Sequence, residues 1–323
     1  MQCLLRRLVL VAAMSCVLAT VAAAQNWPVK PVRVVVPSPP GGGTDGFARL
    51  IGIALTEALQ QPFVIENRPG ADGNIGTELA AKAAPDGYTI LISAIPAMVI
   101  NPYLYKKLPY NAETDFVPVA PGVEGVWAIV VHPSVAVKSI ADLIDIGKRA
   151  PGTLAYGSPG VAGSSYMVVR MLEEITGAKF LQIPYKGAGP ASQGLLTGDI
   201  QFLKTDIISV LSNIRAGKVR ALAVNQVTDL LPGIPTLAEA GYKDAELSSA
   251  FMVMAPKGTP AALVQRLNAE INKAMRMPAN AKRLHDQGQI PVFETPEQFA
   301  DSLKKSRAIW GAFIRRNNIV AEQ

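Results

Sequence analysis

Apolar positions along the chain fall into short runs that alternate with helical stripes. Val32 to Val36 reads VRVVV and predicts a strand. It runs into the loop Pro37-Ser38-Pro39-Pro40-Gly41-Gly42-Gly43. A helical stripe follows, with Phe47, Ile51, Leu55 and Leu59 at four-residue spacing. Phe63 to Ile65 predicts a second strand, Pro85-Asp86-Gly87 a turn and Tyr88 to Ile92 a third strand. Strand, helix and strand at these lengths predict a parallel α/β sheet.

A second unit starts near Val126, with a strand from Val126 to Val131. Ile140 to Arg149 predicts an amphipathic helix ended by Pro151-Gly152. Leu154 to Tyr156 leads into a loop from Gly157 to Ser165, and a helix from about Ser165 to Thr176 stops at Gly177. Phe180 to Ile183 and Val219 to Val224 predict further strands. The tail opens with FMVMAP at Phe251. A helix then starts at Thr259-Pro260 with Pro in its first turn and the stripe Leu263, Leu267, Ile271, Met275. Thr295-x-x-Gln298 reads as a capping box for a last helix, with Phe299, Leu303, Trp310 and Phe313 as its apolar contacts. Two helices after a complete second unit can return to cover the first sheet, which makes the first domain discontinuous.

The leader changes the picture of where such a protein works. Residues 1–24 carry Arg6 and Arg7, an apolar run from Leu8 to Val21, and Ala22-Ala23-Ala24 before Gln25. That order predicts a cleaved export signal; the run is short for a membrane anchor. A lipid-anchored reading would use Cys16, but Ala13 stands where an aliphatic residue is usual. Cys3 and Cys16 are the only cysteines. The mature chain is therefore expected to have no disulfide and no thiolate metal site. His132 and His285 are the only histidines and stand far apart in sequence. No metal or cofactor is expected.

The chain has 323 residues, enough for two ordinary domains, and is 49% hydrophobic and 17% charged. Those values exclude a disordered chain. The formal charge is +6, and loss of Arg6 and Arg7 with the leader takes it to +4. Lys and Arg form no cluster of the kind that binds nucleic acid. The excess suits small anions or an acidic partner surface.

The sharpest local signal is Pro39-Pro40-Gly41-Gly42-Gly43-Thr44-Asp45 between a strand and a helix. Glycines let backbone approach a ligand, and the free N–H groups of a helix start favour a carboxylate or phosphate. A tight turn with a cap and no ligand is the plainer reading. Thr44 can cap the helix or donate to a ligand, and Asp45 suits the helix dipole. The spacing fits neither the Walker lysine motif nor the dinucleotide fingerprint. Ser158, Gly160 and Gly163-Ser164-Ser165 repeat the arrangement in the second unit. Two such loops at the carboxyl ends of their strands could clamp a small anion. Hydrolysis ranks last: Ser164 and Ser165 lie in no G-x-S-x-G elbow, and the available bases are His132, His285, Asp45, Asp72 and Asp206.

Several stretches in order resemble one family across the whole mature chain. They are WPVKPVRVVVPSPPGGGTD at 27–45, ENRPGADGNIG at 66–76, PDGYTILIS at 85–93, NPYLYKKLPY at 101–110, IPYKGAGPA at 183–191, AGKVRALAV at 216–224 and APKGTP at 255–260. The chain is similar to the Bug-type, TctC-like extracytoplasmic solute receptors of tripartite tricarboxylate transporters. The resemblance implies an α/β, two-domain periplasmic binding protein of the class II (Venus-flytrap) fold with a discontinuous first domain. It implies residues 25–126 and 247–323 in one domain and 127–246 in the other. It also implies a periplasmic, monomeric receptor, not an enzyme, that captures a small organic carboxylate. Large and small membrane permease subunits would receive that ligand. A sensor protein is the alternative partner.

By the same resemblance, Ser38, Pro40, Gly41, Gly42, Gly43, Thr44 and Asp45 form a first ligand loop. Ser93 and Ala94 form a second. Ser158, Gly163, Ser164 and Ser165 face them from the other domain, beside a wall of Lys204, Thr205 and Asp206. The chain departs from the family where Phe-Asp is frequent: Lys204-Thr205 stands there, and Asp206 comes one place later. Tyr166 replaces a frequent His, Ala250 a Trp and Met252 a Gly, and Asp72 interrupts the RPGAGG stretch. A Lys204 that reaches the cleft would favour a second carboxylate over an amino acid. A Lys204 that ends its strand in solvent would not.

Overall fold

The computed structural model describes residues 27–159, 163–245 and 249–319. The leader at 1–24 and Gly160 to Ala162 of the second-domain loop lie outside the described residues. Two mixed sheets organise the chain.

The first sheet has the order β11-β4-β10-β3-β1-β2. Its strands are β1 (Val32–Val36), β2 (Phe63–Asn67), β3 (Thr89–Ala94), β4 (Phe116–Gly125), β10 (Ser249–Pro256) and β11 (Gln289–Pro291). β1 pairs parallel with β2 and β3, as expected, but β10 and β4 run antiparallel. The second sheet has the order β7-β6-β8-β5-β9. It contains β5 (Trp127–Val131), β6 (Ala155–Pro159), β7 (Leu181–Tyr185), β8 (Phe202–Asp206) and β9 (Arg220–Val224). β5 is antiparallel to both β8 and β9, so neither sheet is purely parallel.

In chain order the helices are α1 (Gly43–Leu59), α2 (Asn74–Ala81), α3 (Asn101–Leu104), α4 (Ile140–Arg149), α5 (Ser164–Thr176), α6 (Ala188–Thr197), α7 (Leu211–Arg215), α8 (Ala261–Arg276), α9 (Pro278–Asp286) and α10 (Pro296–Arg316). The α1 stripe Phe47, Ile51, Leu55, Leu59 is buried, as is the α8 stripe Leu263, Leu267, Ile271, Met275. Both pack with Val34, Ile90 and Val253 on one face of the first sheet. Thr295 caps α10 in a box with Gln298, and α10 places Phe299, Leu303, Trp310 and Phe313 in the core on the opposite face. The chain therefore leaves the first sheet after β4, builds the second, and returns through β10. The first domain is discontinuous.

Three local expectations need correction. β6 continues through Gly157-Ser158-Pro159 because these residues pair in parallel with Ile183, Pro184 and Tyr185. Ser158 thus belongs to a strand rather than a loop. Thr44 is not the cap of α1: Gly42 holds that place in extended backbone, with no side-chain cap, and Thr44 lies inside the first turn. Pro260 likewise stands at the N-cap of α8, one place before the first turn.

Candidate functional site

The glycine loop is built around one carboxylate. Asp45 is 3% exposed. Its Oδ2 accepts the Gly41 N–H at 3.0 Å and the Arg49 Nε–H at 2.8 Å. Its Oδ1 accepts from Asn67 Nδ2 at 2.9 Å, and the same amide donates to the Ser38 carbonyl at 3.1 Å. Asn67 ends β2 and Ser38 follows β1, so Asp45 ties the loop to two adjacent strand ends. Gly41 has φ +87°, a conformation open to glycine. Burial raises the Asp45 carboxyl pKa, but the hydrogen bonds from Arg49, Gly41 and Asn67 outweigh it and hold the pKa below the usual value. Asp45 organises the loop with both its oxygens engaged.

Two hydroxyls beside that loop have no partner among the described residues. Ser38 Oγ and Ser93 Oγ are buried and lack a hydrogen bond. Ser93 is 0% exposed and sits near the end of β3, next to β1. A buried hydroxyl without a partner is costly and calls for an explanation. Ala94 beside it pairs through β10 with Phe251.

The second sheet presents a different chemistry. Lys204 on β8 is 2% exposed and donates from Nζ to Ser164 Oγ at 3.1 Å. Its Nζ stands 4.9 Å from the centre of the Trp127 ring. Ser165 Oγ donates to the Lys204 carbonyl at 2.5 Å and fixes the start of α5 against β8. Burial lowers the Lys204 pKa to about 8 against a smaller opposing pull from Asp206. The reading in which Lys204 ends its strand in solvent is overturned.

Strand alternation separates the predicted wall. Phe202 and Lys204 share a face with Trp127, whereas Leu203 packs in the cluster on the other side. Thr205 follows the parity of Leu203 and Asp206 that of Lys204. Ser158 is 0% exposed and accepts from Gln182 Nε2 at 2.8 Å. That contact links a side chain of β6 to one of β7.

The two sheets meet at Gly43. A methyl group placed there would stand 2.7 Å from the Phe251 ring and 3.4 Å from Asp206 Oδ2. Asp206 Oδ1 accepts from Ser249 Oγ at 3.2 Å. Gln289 Nε2 donates to the Gly43 carbonyl at 3.0 Å, while its Oε1 is buried without a partner among the described residues. Sequence reasoning missed Gln289 and Ser249. Gln289 opens a three-residue strand with no pattern of its own and reaches the loop only through the fold.

Among the described residues, no group of three or more His, Cys, Asp or Glu side chains could hold a metal ion. Among them too, no helix is long and apolar enough to cross a membrane. The chain is 36% identical over 295 residues to Protein BugT of Bordetella pertussis, covering 90% of each chain. An R. palustris protein solved with adipate is 32% identical with a TM-score of 0.84, covering 90% of this chain and 97% of that one. The periplasmic binding protein BugD is 30% identical with a TM-score of 0.82, covering 92% and 100%. The fold is that of two-domain periplasmic binding proteins. The model of the tripartite tricarboxylate transporter family receptors matches residues 47–319, and the chain belongs to that family of solute receptors, which are not enzymes.

Proposed function

We propose that this chain is a periplasmic receptor that captures one small organic carboxylate between its two domains and delivers it to a membrane permease. Residues 25–126 and 247–323 form one domain in this reading, and 127–246 the other. The leader at 1–24 is removed on export.

One observation carries the reading: beside the glycine loop the Ser38 and Ser93 hydroxyls are buried without partners among the described residues. They are donors in want of an acceptor, at the carboxyl ends of adjacent strands, where open α/β sheets take ligands. The amino end of α1 adds N–H groups and a favourable dipole. Gly41, Gly42, Gly43 and Thr44 bring backbone to the carboxylate. Pro40 and Ala94 border it, and Asp45 holds the loop in shape. Gly163, Ser164 and Ser165 approach from the second domain. The relative solved with adipate supports a carboxylate ligand. Closure would hide the ligand and let the permease tell a loaded receptor from an empty one.

A thermal-shift panel of mono-, di- and tricarboxylates tests the reading. A specific ligand raises the unfolding midpoint by mass action. Calorimetry then gives one site per chain, and small-angle scattering a smaller radius of gyration. A panel without a stabilising carboxylate, or an equally stabilising neutral analogue, would overturn it.

A further inference from the structure

Two side-chain contacts tie the helices at the end of the chain to elements of the second sheet. Near the end of α5, both oxygens of the Glu174 carboxylate are engaged. Its Oε1 pairs with Arg316 Nη2 at 2.8 Å, and its Oε2 accepts from Asn317 Nδ2 at 2.9 Å. In the second contact, His285 Nε2 of α9 stands 2.7 Å from Oδ1 of Asp229, which follows β9.

α10 is fixed to the side of the first sheet well before it reaches Glu174. Arg307 is buried and donates from Nε to the Met98 carbonyl at 3.0 Å and from Nη2 to the Ala112 carbonyl at 2.8 Å. Beyond it, Phe313, Ile314 and Ile319 are buried in a cluster that also holds Leu172 of α5 and Tyr156 of β6. The carboxyl end of α10 therefore bridges to the second sheet. Its packing is apolar inside, and the Glu174 contact lies at the edge, where the Arg316 side chain is 66% exposed.

The two contacts stand at different distances from the crossing between the sheets. Val126 marks that crossing: its carbonyl accepts the Ile207 N–H just past the end of β8, and its N–H donates to the Gly288 carbonyl. The amino end of α5 is at the same level, since Ser165 Oγ donates to the Lys204 carbonyl near the end of β8. Glu174 lies ten residues beyond Ser164, about 15 Å along the helix axis. His285, by contrast, is three residues from Gly288, and Leu230, next to Asp229, packs beside Gly288. One contact sits at the crossing, the other at the far end of a long helix.

We propose that the contact of Glu174 with Arg316 and Asn317 is a rear clasp that holds the receptor open. α5 works as a lever about the crossing: movement of its amino end toward the glycine loop draws its far end away from α10, so closure breaks the clasp. The clasp then lowers ligand affinity from outside the cleft, by opposing closure and without touching the ligand. This rests on the reading above, in which closure accompanies capture. An exposed ion pair changes such an equilibrium by no more than about fivefold, so the clasp tunes the receptor rather than locking it.

The test is small-angle scattering on the ligand-free protein beside calorimetry with adipate. Glu174→Lys and Arg316→Glu each set like charges against one another at exposed positions. Each should shrink the ligand-free radius of gyration and tighten adipate by about two- to fivefold. The double variant carrying both exchanges the charges, restores the pair and should return both readouts toward those of the unmodified protein. A purely structural contact would give no such rescue and no gain in affinity. Asp229→Asn removes the contact at the crossing and should leave both readouts unchanged. An unchanged radius in both single variants, weaker adipate binding in either, or an equal gain from Asp229→Asn would overturn the clasp. Absence of adipate binding falls on the reading above and leaves the ligand-free radius to decide the clasp.

Discussion

Asp45 Oδ2 and the Gly41 N–H are joined by a 3.0 Å hydrogen bond that closes the glycine loop onto the first turn of α1. The loop's shape is thus set by a side chain within it. Asp45→Ala should cost about 2 kcal/mol, because it strands the Gly41 N–H and half the Asn67 amide. It should also weaken the carboxylate ligand. The acid response has a definite sign. The folded-state carboxyl is depressed, so its stabilisation is complete above the unfolded value of about 3.9. It is lost as pH falls through the lower folded value. In urea titrations between pH 6 and 2.5, the gap between the unmodified protein and Asp45→Asn should narrow toward the acid end. A constant gap would count against this account.

Lys204 predicts the opposite window. Its folded-state pKa is lowered to about 8 from an ordinary 10.5. Between those values the unfolded chain binds more protons, so stability rises with pH. The lysine's share of that rise is about 3 kcal/mol. The ligand-free stability difference between the unmodified protein and Lys204→Met should be flat from pH 6 to 7.5. It should then move in favour of the unmodified protein up to pH 10.5. Subtracting the variant removes the contributions of groups common to both proteins. A difference that stays flat throughout would show that Lys204 keeps its proton when the chain folds.

β4 contains a glycine that no other residue should replace. Gly122 has φ +69°, and a methyl group there would lie 2.3 Å from the Phe251 carbonyl and 2.8 Å from the Phe47 ring. The strand is bulged at this point against β10. Gly122→Ala should therefore cost about 2 kcal/mol or more, from backbone strain and overpacking together. A denaturation midpoint equal to that of the unmodified protein would refute the packing described for Phe47 and Phe251.

The same residue explains part of what the sequence concealed. Pro118, Pro121, Gly122 and Gly125 interrupt any period-two pattern in β4, so a central strand reads as loop. α6 reads weakly for a similar reason, with Gly189, Pro190 and Gly194 inside it. The strand, glycine loop and helix from Val32 to Leu59 were legible because every local signal agreed. The α8 and α10 stripes were legible on the same ground. The burial of Lys204 was not, since it depends on Ser164, 40 residues earlier, closing over a strand end. Gln289 acts 246 residues from Gly43, and the opposite faces taken by Lys204 and Thr205 follow from strand alternation in β8.

Asn225 clamps the passage between the sheets. Its Oδ1 accepts the Trp127 N–H at 2.8 Å, and its Nδ2 donates to the Gly125 carbonyl at 3.1 Å. Its own N–H donates to the Trp127 carbonyl at 3.2 Å. One side chain thereby fixes both peptides around Val126, where β4 of the first sheet becomes β5 of the second. Val126 is itself held on both sides: its N–H donates to the Gly288 carbonyl at 2.6 Å and its carbonyl accepts the Ile207 N–H at 2.9 Å. Asn225→Ala removes only the two side-chain bonds, so the crossing should loosen without unfolding, at a cost of about 1–3 kcal/mol. Asn225→Asp keeps the acceptor for Trp127 and loses the donor to Gly125, and should fall between. If closure turns on this crossing, Asn225→Ala should weaken a carboxylate ligand by a few-fold through the closing step alone. Stopped-flow kinetics would then show an unchanged on-rate and a faster off-rate, with a ligand-free scattering radius larger than that of the unmodified protein. An unchanged off-rate beside a measurable loss of stability would place the hinge elsewhere and leave Asn225 a purely structural clamp.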